Sequence, residues 1–134
     1  MTRKEAREAG FIIIFEYKFQ PIAADSLLEL YYTYRSDVTE QKDYLENLVR
    51  TTLTNLSAID ALIEKHATGW SLSRLSAVSL AALRVGICEL LYDASIPDSI
   101  AINEAVQLAK DYETEKAAAF VNGILASVSK EPRS

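Results

Sequence analysis

The chain has 134 residues, 49% hydrophobic and 25% charged, with 14 basic against 19 acidic side chains and a formal net charge of -5. A chain of this length buries roughly two-thirds of its unfolded surface as one domain, so a core forms without staples. Four glycines and three prolines exclude collagen-like sequence, and the ordinary charge excludes extensive disorder.

One cysteine, Cys88, and one histidine, His66, exclude an internal disulfide and a Cys/His zinc site, so neither metal nor cofactor is expected. The apolar run at residues 11–15 is too short for a signal peptide or a membrane span, which predicts a cytoplasmic protein with no membrane association. An acidic balance argues against coating nucleic acid through bulk positive charge. Any phosphate contact must be local.

The spacing is helical throughout, predicting an all-α fold of about six to seven helices. The first helix, about residues 3–19, places Phe11, Ile14, Phe15 and Lys18 together, with Arg3, Lys4 and Arg7 on its first two turns, and Pro21 stops it. A second begins after Asp25 or Ser26 with an apolar stripe of Leu27, Leu28, Leu30, Tyr31 and Tyr34. A third starts near Thr39, a capping residue, and carries Tyr44, Leu45, Leu48, Val49, Thr52 and Leu53 at three- and four-residue steps. Asn55 and Ser57 predict a break before a helix over about residues 58–67, ended by Gly69. Residues 72–92 are apolar almost all round, the signature of a central helix. Pro97 opens the next, whose shared face is Ile102, Ala105, Val106 and Ala109. Thr114 caps the last, which carries Ala117, Phe120, Val121, Ile124, Leu125 and Val128, and residues 129–134 read as a frayed tail. The natural division lies near Gly69, giving a single domain, 1–134, of two helical subdomains, about 1–68 and 69–134.

Catalytic machinery is hard to find. No GxGxxG, Walker A, HExxH or GxSxG pattern is present, so no enzyme is expected. His66 follows Glu64 and Lys65 and reads as a surface residue, and Cys88 lies in the most apolar helix as core filler. Arg84 and Glu89 lie in that same helix and need partners, which predicts buried structural ion contacts. Of Tyr31, Tyr32 and Tyr34, two are expected to pack and one to be exposed. Gly86 and Gly123 within helices predict close approach of a neighbouring backbone. Asn103 and Asn122 read as partners of backbone, Glu104 as a first-turn carboxylate favoured by the macrodipole, and the pair Trp70 and Arg74 as a tie between the two bundles. The cluster Arg3, Lys4 and Arg7, diluted by Glu5 and Glu8, is the local exception to the acidic balance.

Four segments together resemble one family: Trp70-Ser71-Leu72-Ser73-Arg74-Leu75, Ala82-Leu83-Arg84-Val85-Gly86-Ile87-Cys88-Glu89-Leu90, Ile102-Asn103-Glu104-Ala105-Val106-Gln107-Leu108-Ala109-Lys110, and Phe120-Val121-Asn122-Gly123-Ile124-Leu125. In order and spacing they are similar to the bacterial transcription antitermination factors of the NusB family, over essentially the whole chain. The resemblance implies two packed, roughly perpendicular helical bundles. It also implies a non-enzymatic factor that binds boxA RNA of ribosomal RNA operons with the ribosomal protein NusE, and joins an RNA polymerase complex with NusA and NusG. In RNA binding it points to Arg3, Lys4, Arg7, Phe15, Lys116 and Phe120, and for the partner surface to Ser76, Ser79, Leu80, Glu113 and Ala118. A domain of similar fold precedes a family of rRNA cytosine methyltransferases, but no Gly-rich cofactor loop or catalytic cysteine follows in this sequence. The diluted basic cluster leaves a second reading open, a protein-binding or homodimeric helical scaffold with little RNA binding of its own.

The acidity is unevenly spread. Residues 1–15 carry three basic and two acidic side chains, and residues 78–128 carry three basic and seven acidic. That distribution suits a small basic face for RNA and an acidic one for a basic protein partner.

Overall fold

The breaks at Pro21, Gln41, Asn55, Gly69, Pro97 and Thr114 divide the chain into seven α-helices, with no strand, among the residues that the computed structural model describes, 1–35 and 39–132. The first, α1 (Arg3–Tyr17), opens on a reciprocal cap: the Glu5 N–H donates to Thr2 Oγ1 at 3.1 Å, and the Thr2 N–H donates to the Glu5 carboxylate at 2.8 Å. Two donors that the first turn leaves orphaned are thereby satisfied, and Glu5 offsets Arg3 and Lys4 at the positive end of the dipole. The helix stops two residues before the expected 19, leaving Phe19 66% exposed.

The second helix, α2 (Ala24–Tyr34), buries only Leu27 and Leu28. Leu30 and Tyr34 are exposed, so the expected five-residue stripe is narrower, because α2 is an outer helix laid on α1 and α3 alone. Tyr31 and Tyr32 are half-buried with their rings 6.1 Å apart, so two tyrosines pack and Tyr34 is exposed, as the spacing predicts. A single 3-10 turn, Thr39–Gln41, leads into α3 (Lys42–Thr54), and the expected cap by the Thr39 side chain lies outside the described side chains. Asn55 ends α3 by donating from its side-chain amide to the Thr51 carbonyl at 2.8 Å, and α4 (Leu56–His66) begins at the next residue. Gly69 then takes φ +83°, the left-handed conformation that favours glycine.

The long apolar stretch is interrupted near its start. A 3-10 turn, Leu72–Arg74, precedes α5 (Ala77–Tyr92), because Ser76 caps it by accepting the Ser79 N–H at 3.0 Å. Every residue from 79 to 90 is buried, so α5 is the central helix. It packs against α1, α3 and α4 on one side and against α6 (Asp98–Tyr112) and α7 (Glu115–Ser129) on the other. The helices thus form two packed bundles, α1 to α4 and α5 to α7. One core joins Phe11, Ile14, Leu48, Ile59 and Ile63 to Leu83, Val85, Ile87, Val121 and Leu125 across the bundles, while a smaller one around Ile13, Leu28, Leu45 and Val49 lies within the first.

Gly86 is where α5 meets both of its neighbours. A Cβ there would fall 2.7 Å from Leu125 Cδ1 and 3.1 Å from Ala105 Cβ, so the approach is close, though to side chains and not to the backbone expected. Gly123 is different: nothing lies within 4 Å of its Cβ position, and packing does not explain it. Cys88 is core, as expected, and burial pushes its thiol up to about 11. The C-terminal segment is not wholly frayed, since Glu131 pairs with Lys65 and His66 of α4, while Arg133 and Ser134 lie outside the described residues. No described helix is long and apolar enough to cross a membrane.

Candidate functional site

Two sets of side chains stand out. The first is at the start of α1, where four charged or polar side chains from four helices converge. Arg7 is 4% exposed and donates through Nε and Nη2 to the Glu89 carboxylate at 2.8 and 3.1 Å, and through Nη1 to Glu104 at 3.0 Å. Tyr44 donates its hydroxyl to Glu89 at 2.7 Å. Burial works against the Arg7 charge, but the Glu89 carboxylate more than compensates, so its pKa lies above the ordinary value; burial beside Glu89 likewise raises Tyr44. The expectation of buried ion contacts for Glu89 and Arg84 holds, with Arg84 paired to Asp60.

Arg7 is therefore not the solvated phosphate contact that the resemblance implied. Its guanidinium is consumed by two carboxylates, one of them Glu104, which answers Arg7 and not merely a helix dipole. Arg3 and Lys4 remain exposed. The Arg3 guanidinium lies over the Tyr44 ring at 4.1 Å and donates from Nε to Gln41 at 2.8 Å, while Lys4 has only a 3.6 Å contact to Glu104.

The second is a cleft of about 250 Å³ between the start of α5 and the start of α7. Its walls are Trp70 and Phe120, edge to face at 6.1 Å, with Leu75 and Ala117. Arg74 and Lys116 stand at it, and neither makes an ion pair among the described residues. Ser76 and Thr114, the caps of α5 and α7, both line it, so two positive helix ends converge there. Trp70 is half-exposed, so the pair with Arg74 forms a cleft wall and not only a tie between bundles. A larger groove, about 390 Å³, runs between α1 and α2, but along it Glu5, Glu8 and Glu16 outnumber Arg35 and disfavour phosphate.

The cleft brings Lys116 and Phe120 together with Ser76, Ser79 and Glu113, and Ser76 donates its hydroxyl to Glu113. Phe15 is elsewhere: half-buried, it stacks on Phe19 at 5.3 Å. Leu80 and Ala118 are 4% and 6% exposed and belong to the core, so neither offers surface to a partner. Asn103 and Asn122 are exposed and neither bonds backbone among the described residues, contrary to expectation. Asn122 and the open Gly123 instead present a smooth polar stretch of α7.

His66 also departs from expectation. It is half-buried, with Nδ1 on Ser127 Oγ at 2.7 Å and Nε2 on Glu131 at 2.9 Å. The order Ser, His, Glu resembles an acyl-transfer triad, but Ser127 lies within α7, where backbone N–H groups are spent on the helix itself and none is aimed at a developing oxyanion. Lys65 further engages the carboxylate. The arrangement ties α4 to the end of α7.

The family model described as the NusB family matches residues 4–130. The transcription antitermination protein NusB of Ruminiclostridium cellulolyticum is 39% identical over 130 residues, 97% of this chain and 90% of that protein. Its counterpart in Listeria monocytogenes is 35% identical over 133 residues, 99% of this chain and 100% of the relative. Among solved structures, NusB of T. maritima superposes with a TM-score of 0.87 at 36% identity, covering 98% of this chain and 92% of that one. A complex of antitermination factors NusB and NusE with double-stranded RNA does so with a TM-score of 0.87 at 31% identity, covering 96% of each chain.

Proposed function

The chain belongs to the NusB family, and on that premise we propose that it is a non-enzymatic, RNA-binding transcription antitermination factor. It takes single-stranded boxA-type RNA of ribosomal RNA operons together with NusE, and joins an RNA polymerase complex containing NusA and NusG. The observation that carries this reading is the cleft. Single-stranded RNA is read by stacking bases on aromatic faces and hydrogen-bonding their edges, while a few cations position the phosphates. Trp70 and Phe120 supply ring surface, Arg74 and Lys116 supply cations without an ion pair among the described residues, and two helix N-termini add positive potential. Arg3 and Lys4 extend the cationic set along α1. The acidic excess of the second bundle, seven acidic against three basic side chains over residues 78–128, suits a basic ribosomal protein.

With few cations, affinity for RNA alone is weak and NusE raises it. Three or four phosphate contacts give a salt slope of only about -2 to -3 for a single strand. The test is a titration of boxA RNA with and without NusE, for the unaltered protein and for Trp70→Ala with Lys116→Glu. Loss of binding in the double variant, with its helix content unchanged, supports the reading. Unchanged binding moves the protein to the other reading, a protein-binding scaffold.

A further inference from the structure

Arg3 and Arg7, one turn apart, have opposite fates, and Tyr44 lies between them. Its ring carries the Arg3 guanidinium at 4.1 Å and has Arg7 at 5.7 Å. Its hydroxyl is held by Glu89, which Arg7 holds in turn. Gln41, on the 3-10 turn before α3, accepts the Arg3 Nε–H at 2.8 Å. Arg3 is thus fixed by a stacking surface beneath and an acceptor at its inner edge, and neither Nη group has a partner among the described residues.

We propose that Tyr44 and Gln41 are positioning residues that aim the free Nη edge of Arg3 at an RNA phosphate, with Arg7 and Glu89 locking the Tyr44 ring from below. The proposal rests on the reading of α1 as part of the RNA surface. An arginine fork meets two phosphate oxygens with two parallel hydrogen bonds, and only if its plane is correctly set. An exposed arginine ordinarily gives up rotamer freedom to make that contact, whereas Arg3 has already given it up on Tyr44. This explains how a first helix with few cations contributes to binding: one is pre-aimed. It also gives the buried Arg7 its part, which is to hold the platform and not to touch RNA.

The test is a double-mutant cycle on the affinity for a boxA RNA oligonucleotide in the presence of NusE, at one fixed salt concentration. Arg3→Ala weakens binding about tenfold or more, the size of a charged hydrogen-bonded contact. Arg3→Lys, which keeps the charge but loses the fork and the stacking, weakens it almost as much. Tyr44→Leu gives a similar loss and no further loss in the Arg3→Ala background. Tyr44→Phe, which keeps the ring but frees it from Glu89, gives a smaller, few-fold loss between the unaltered protein and Tyr44→Leu, since the platform remains but is no longer locked. Should Tyr44→Leu fail to fold, Gln41→Ala replaces it, with a several-fold loss that likewise vanishes without Arg3. A Tyr44 or Gln41 effect that persists in the Arg3→Ala background overturns the positioning role, and so does a Tyr44→Leu protein that binds normally while Arg3→Ala does not. Normal binding by Arg3→Ala itself instead removes α1 from the RNA surface.

Discussion

Arg84 meets the Asp60 carboxylate with two parallel bonds, Nε to Oδ1 at 2.9 Å and Nη2 to Oδ2 at 2.8 Å, joining α5 to α4 across the two bundles. Arg84 is 8% exposed, and every other residue of its helix over 79–90 is apolar or small except Glu89. Removing one partner leaves the other charged and nearly dry. Asp60→Ala should therefore destabilise the fold by about 3 kcal/mol, and Arg7→Met, which strands Glu89, by at least as much. Urea unfolding followed by circular dichroism measures both. Replacing Arg84 and Asp60 together by leucine should cost clearly less than Asp60→Ala alone, and equal costs would show that the pair adds no strain when broken.

The two helical glycines should respond in opposite directions. Gly123→Ala fills open space on an exposed helix face and should stabilise the protein by about 0.5 to 1 kcal/mol. Gly86→Ala drives a methyl group into Leu125 and Ala105 and should destabilise it by about 1 to 3 kcal/mol. Thermal unfolding midpoints of the two variants read out the difference in sign.

At the start of α1, Thr2→Ala removes the acceptor of the Glu5 N–H and one half of the reciprocal cap. The cost should be about 1 kcal/mol. Glu5 is held below the usual carboxylate range by the Thr2 backbone N–H first and its side chain second. Because the folded pKa is depressed, this contribution is present above the ordinary value near 4.5 and is lost as pH falls through the folded one. The stability gap between the unaltered protein and Glu5→Ala should shrink as pH falls below about 4.5, and a gap that widens there would contradict the cap.

Glu131 titrates in the same sense for another reason. Lys65 first and His66 second donate to its carboxylate and lower its pKa. A carbon-detected NMR titration should place its midpoint below that of an ordinary glutamate, and Lys65→Ala should move it up.

How much of this could be read without coordinates depended on whether the deciding signal was local. The breaks at Pro21, Gly69 and Pro97 and the apolar girth of α5 rest on short-range spacing and stand in the structure, although α1 ends at Tyr17, before the expected 19, and α5 begins at Ala77 after a separate turn. What spacing misled on was Arg7. Its position one turn from Arg3 on an exposed-looking helix start is identical for a solvated cation and for one that reaches Glu89, 82 residues away. Only the packing of α1 onto α5 and α6 decides between them. Leu80 and Ala118 failed for the same cause: a family's partner surface can be carried over to a stretch of chain, but the burial of each side chain within it depends on helix rotation. Tyr44 was legible as an apolar step in α3 and not as a platform, since neither Arg3 nor Glu89 lies near it in the chain. The cap of Thr2 by Glu5, by contrast, is written in the chain as a local Thr-x-x-Glu pattern.

The girth of α5 also sets a clock. With residues 79–90 buried on all sides and five helices leaning on it, no partial opening can wet its backbone. Its amide protons exchange with solvent only when the whole molecule opens, whereas those of α2, which buries two leucines, exchange through local fraying. The slowest protons in α5 therefore report the stability of the entire protein, and any ligand that tightens the fold slows them in proportion to its binding.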